Sequence, residues 1–288
     1  MKSIDTNGNV KILSSGEKDK NGCVTVKKNL ESLDGTKTQY EYYDDPVGNR
    51  ITYYKIVDNK GKVLLNDTQS FEVVDKNTAI SSHRGNSYEI KTDEAGMKIR
   101  NLQTDETTEI DFNKTLAQDN VELKELLSKV SAEELIVLNK KGIKLNYVKN
   151  ALSSNVNYDR TVSVGKNMFV FEHETGHVKD IRHFVEKDIR KERFVAGDKN
   201  LAKIYNAERK AFMVAFPTAQ QSHVDYFVDK TCHYAGADGG LMEAVAETNG
   251  VLNSYQCSEQ LAIRTNYLQQ YFPRTIAKAA ELFANGQG

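Results

Sequence analysis

The hydrophobic period of this chain changes near residue 112, and that change restricts the fold more than any other feature of the sequence. Before it, segments rich in Val, Ile, Tyr and Thr alternate inward and outward residues, as a strand with one buried face requires. Examples are Gln39 to Tyr43, Ile51 to Val57, Phe71 to Val74 and Ser87 to Lys91. Asn/Asp/Gly clusters separate them, and Asp58-Asn59-Lys60-Gly61 reads as a hairpin turn. After residue 112 the period becomes 3.6 and helices dominate. The expected fold class is α+β, with an antiparallel β meander over residues 1–112 and a mostly helical unit with a small sheet over 113–288. The tyrosines of the β half could stack on a ligand, or could pair across strands as sheets commonly arrange them.

Within the helical half, Ser131-Ala132-Glu133-Glu134 has the spacing of a capping box and opens a helix that stops at Gly142. Ile143 to Val148 and Arg160 to Val164 read as short strands. From Asn167 onward the pattern predicts helices broken near Gly197, Pro217, the glycine-rich 235–240 loop and Pro273, which suits the first position of a last helix.

Composition excludes several function classes. With 39 Lys+Arg against 40 Asp+Glu the net charge is -1, so the chain lacks the basic footprint of a nucleic-acid partner. No run approaches the roughly 20 apolar residues of a membrane span. No export signal is visible, and a soluble protein, secreted in mature or trimmed form rather than cytoplasmic, is the expectation. Cys23, Cys232 and Cys257 form no C-x-x-C pair, so neither a disulfide framework nor an all-cysteine zinc site is expected.

The chemistry is concentrated in His173-Glu174-Thr175-Gly176-His177, an H-E-x-x-H match preceded by the apolar run Met168 to Phe171. On a helix, residues i and i+4 share a face, so both imidazoles reach one metal ion, while Glu174 sits about 100° round the axis, beside the ion instead of on it. In a 288-residue chain with 6 histidines, chance yields on the order of 0.01 such matches. Catalytic zinc usually takes three protein ligands, and two candidates for the third exist. His183 has the spacing of H-E-x-x-H-x-x-G-x-x-H, but Asp180 stands where that pattern has glycine. Val178, Ile181, Phe184, Val185 and Ile189 keep helical spacing through that point, and on an unbroken helix His183 would lie about 240° away from His177. Glu243 stands in a glycine-opened helix, with Glu247 one turn on to accept a hydrogen bond from a ligand histidine, and Leu241, Met242, Ala244, Val245 and Ala246 around them predict burial.

His173-Glu174-Thr175-Gly176-His177, followed by Tyr234 and Glu243-Ala244-Val245-Ala246-Glu247, resembles the catalytic domain of anthrax lethal factor and its relatives, including the Pro-Pro endopeptidases, over roughly residues 115 to 285. The resemblance implies a gluzincin-type metallopeptidase acting on a protein or peptide. One catalytic Zn2+ would be held by His173, His177 and Glu243, with Glu174 as general base, Tyr234 or its neighbour His233 as donor to the developing oxyanion, and Glu247 behind a ligand histidine. An extended substrate would then add to a sheet edge near Thr161 to Val164. Two other readings compete with it: a catalytically inactive module that binds or adheres around a structural metal, and a metzincin variant using His183.

Overall fold

The computed structural model describes residues 18–117, 120–148, 155–156, 159–182, 195–216, 239–255 and 259–286. Eight strands run in sequence order as one antiparallel meander: β1 (Val24–Glu31), β2 (Lys37–Asp44), β3 (Arg50–Val57), β4 (Val63–Val73), β5 (Thr78–His83), β6 (Asn86–Thr92), β7 (Gly96–Asn101) and β8 (Thr107–Asp111). Alternation places Val24 and Val26 of β1, Tyr40 and Tyr42 of β2, and Tyr54 and Ile56 of β3 on the covered face. Tyr40 lies opposite Tyr54 with ring centroids 5.5 Å apart, edge to face, so these tyrosines are a buried cross-strand pair. The Asp58 turn forms as expected: Gly61, at φ +84°, donates to Asp58 O, and Asp58 N to Lys62 O.

The remaining elements are α1 (Phe112–Thr115), α2 (Val121–Leu127), α3 (Ala132–Lys140), β9 (Lys144–Tyr147), β10 (Asn155–Val156), β11 (Thr161–Val164), α4 (Met168–Asp180), a 3-10 turn (Val195–Gly197), α5 (Lys199–Ala215), α6 (Gly239–Asn253), α7 (Glu259–Tyr271) and α8 (Pro273–Asn285). The fold is therefore α+β, with a second sheet ordered β10-β11-β9 in which β11 runs parallel to β9. Pro273 opens α8, where its missing N–H costs nothing. Pro217, Cys232 and Cys257 lie outside the described residues.

The capping box is not made. Ser131 is the N-cap of α3, but its side chain caps nothing; Ala132 N donates instead to Ser81 Oγ of β5 at 3.2 Å. Glu134, which would close the box, is buried and accepts from Lys179 of α4 and from Asn249 and Asn253 of α6. A buried cation outbids a local amide for this carboxylate, because a charge-assisted bond is the stronger of the two.

Two apolar clusters hold the molecule. One joins β1 to β3 with α5, α6, α7 and α8; the other joins β4 to β8 with α1, α2, α3, β9 and β11. Helix α4 enters both, sending Phe169 into the first and Phe171 and Val178 into the second. The sheet and the helices thus share their cores across residue 112.

Candidate metal centre

Helix α4 starts on Asn167, whose side chain accepts from Val170 N at 3.2 Å. Its most extensive contact is with α6, and the two backbones meet at Gly176, where a Cβ would lie 2.5 Å from Ala246 O. That approach brings both α6 glutamates against the α4 histidines. His173 Nε2 is 3.3 Å and His177 Nε2 3.5 Å from Glu243 Oε2. Donor atoms bonded to one ion at about 2.0–2.1 Å and spread tetrahedrally stand roughly 3.3 Å apart, so these separations suit a shared ion. Both contacts exceed normal hydrogen-bond length, and Glu243 Oε2 is a buried oxygen with no hydrogen-bond donor among the described residues. An ion between the three donors would satisfy it.

His173, His177 and Glu243 are all buried, and among the described residues they form the only such group of His, Cys, Asp or Glu able to hold a metal ion. The rings of His173 and His177 stand nearly perpendicular, at 88°. Burial pushes the Glu243 carboxyl up, but His177 and His173 outweigh it and hold the group ionised well below the usual carboxylate range. Burial likewise pushes His173 down, and Glu243 and Glu247 more than reverse it. Glu247 Oε2 is 2.9 Å from His173 Nδ1. With that carboxylate ionised, Nδ1 keeps a hydrogen and Nε2, on the Glu243 side, is the nitrogen that would exchange its proton for an ion. Glu174, between the two histidines, is buried and its carboxyl is raised by that burial, partly offset by His173 and His177.

The four expected residues His173, His177, Glu243 and Glu247 are thus together, with Glu174 beside them. Tyr234, His233 and His183 lie outside the described residues. Two expectations change. Helix α4 does not run on through residue 189: it ends at Asp180, where Ile181 turns extended at ψ 105°. Asp180 is buried and accepts from Ala196 N at 2.8 Å, while Lys141 Nζ takes the carbonyls of Val178 and Ile181 at 2.8 and 2.5 Å. The break removes the periodicity argument against His183, yet Glu243 already supplies a third donor. The second change concerns β11, which is the central strand of its sheet, with Val162 and Ser163 paired to β10. Paired on both sides over Val162 and Ser163, it offers no free edge there.

Arg264 of α7 was not anticipated. Its Nε and one terminal nitrogen each donate to Glu247 at 2.8 Å, to Oε1 and Oε2 respectively. A signal existed in the sequence: Arg264, Tyr267, Leu268 and Tyr271 follow helical i, i+3, i+4, i+7 spacing, which puts a guanidinium on an otherwise apolar stripe. No helix among the described residues is long and apolar enough to cross a membrane. Comparison with protein-family models, with curated proteins and with solved structures finds no match for this chain.

Proposed function

We propose that the protein is a zinc-dependent metalloendopeptidase of the lethal factor-like, gluzincin type. The observation that carries this reading is the buried triangle of His173 Nε2, His177 Nε2 and Glu243 Oε2, at separations that suit one tetrahedral ion, with Glu174 alongside. Two imidazoles and one carboxylate are the donor set of a catalytic zinc site with a position left for water or substrate, and all-oxygen cations would not select it. Zinc bound there supplies the Lewis acidity that makes water a nucleophile near neutral pH. The protein's own groups do the rest. Glu247 keeps the His173 lone pair aimed at the ion, and Glu174, its proton affinity raised by burial, takes the proton of the attacking water and returns it to the leaving amine. Tyr234 or His233 would donate to the developing oxyanion, a contact worth about 2.7 to 4 kcal/mol where such donors have been deleted.

The purified protein should carry about one zinc per chain by metal analysis. Glu174→Gln should keep the zinc and lose cleavage of every member of a peptide library that the parent cleaves, because the base is removed and no ligand is. Parental turnover by Glu174→Gln would sink the mechanism. A parent that holds zinc and cleaves nothing would favour a binding module built round a structural ion.

A further inference from the structure

Behind the metal triangle stands a layer of charge that ligand chemistry alone does not require. Glu247 is fully buried, and it already has a partner in His173 Nδ1. Arg264 adds a two-pronged grip: Nε on Oε1 and a terminal nitrogen on Oε2, both at 2.8 Å, with the arginine side chain only 15% exposed. Oε2 therefore accepts from His173 and Arg264 at once, while Oε1 is tied down separately. A carboxylate held through one oxygen can swing about its last bond. One held through both cannot.

We infer that Arg264 is a positioning residue for the metal centre, locking the Glu247 carboxylate plane and through it the ring orientation of His173. The inference rests on the metal-centre reading above. Arg264 stands on a helix whose Tyr267, Leu268 and Tyr271 are buried in the main core, so the guanidinium is held by packing that does not depend on the metal. Glu243 and Glu247 lie on α6 and His173 on α4. Arg264 thus adds a third helix to the support of a site whose ligands come from two. The planar fork matters, since a lysine ammonium at the same place cannot grip both oxygens in one plane.

The test is a competitive zinc titration of the full chain as parent, Arg264→Met, Arg264→Lys, Glu247→Gln and the Glu247→Gln/Arg264→Met double variant. It is read together with the visible absorption of each cobalt(II)-loaded protein and the melting temperature of the metal-free form. Loss of the support should weaken zinc binding 10- to 100-fold in Arg264→Met and shift the cobalt band, with Arg264→Lys between it and the parent. The double variant should bind no more weakly than Glu247→Gln alone, because Arg264 acts through that carboxylate. Parental affinity and an unshifted band in Arg264→Met would overturn the inference whatever happens to the melting temperature, as would additive losses in the double variant. If Arg264→Met does not fold, Arg264→Lys decides, and a parental zinc affinity and cobalt band in that variant would overturn the inference. A parent that takes up neither zinc nor cobalt overturns the metal centre itself and this inference with it.

Discussion

Gly176 sets how near α6 can come to α4. A Cβ there would sit 2.5 Å from Ala246 O, 2.7 Å from Ala246 Cα and 2.9 Å from Asn249 Cβ, distances no real contact tolerates. Gly176→Ala must therefore push α6 outward, and Glu243 and Glu247 go with it. The variant should lose roughly 1–3 kcal/mol in urea unfolding, as overpacked sites do, and bind zinc more weakly than the parent; unchanged values in both measurements would mean that α6 yields freely. At this scale the placement of the two histidines on one face was legible because it follows from their spacing along one helix. Glu243 and Glu247 were legible as a pair one turn apart in an apolar setting. The reason for the glycine was not, because it depends on what packs opposite, and the ion pair from Arg264 to Glu247 crosses between helices that no local pattern links.

The end of α4 is decided by neighbours rather than by its own residues. Val178 and Ile181 continue a helical stripe, yet the helix stops because Asp180 is drawn to Ala196 N and Lys141 collects the terminal carbonyls. Lys141→Met should leave those carbonyls without their donor and cost about 1–3 kcal/mol in stability. Zinc uptake should stay parental, since His173 and His177 stand upstream of the lost contacts. A melting temperature equal to the parent's would show that solvent replaces the lysine. The strands of the meander, the stop at Gly142 and the start at Pro273 were legible, each resting on a short-range rule of alternation, positive φ or a missing N–H. What escaped was non-local: the tertiary partner that takes Glu134 from its capping box, and the pairing that buries β11 between β9 and β10.

Across the whole molecule, the sheet and helices are joined by apolar contact and by a buried lysine. Lys28, on the inward face of β1, donates to Asn266 Oδ1 at 2.7 Å and Gln269 Oε1 at 2.9 Å on α7, with Tyr40 and Tyr255 rings at 5.3 and 5.8 Å. Burial lowers its pKa from 10.5 to about 7. The unfolded chain therefore takes up this proton first as the pH falls, and stability present above 10.5 is lost on the way down to about 7. The parent should gain on the order of a few kcal/mol in unfolding free energy between pH 7 and 10 from this group. Lys28→Met should lack that rise, and identical slopes for the two proteins would disprove the assignment. The same junction bears on how the chain may be divided. Phe169 and Phe171, two residues apart on α4, point into cores built from opposite ends of the meander. A cut at residue 112 would take from each core the strands that wall it and expose the apolar side chains of the helices packed there. Both cores therefore continue across the place where the sequence changes its pattern, and each portion covers apolar side chains of the other.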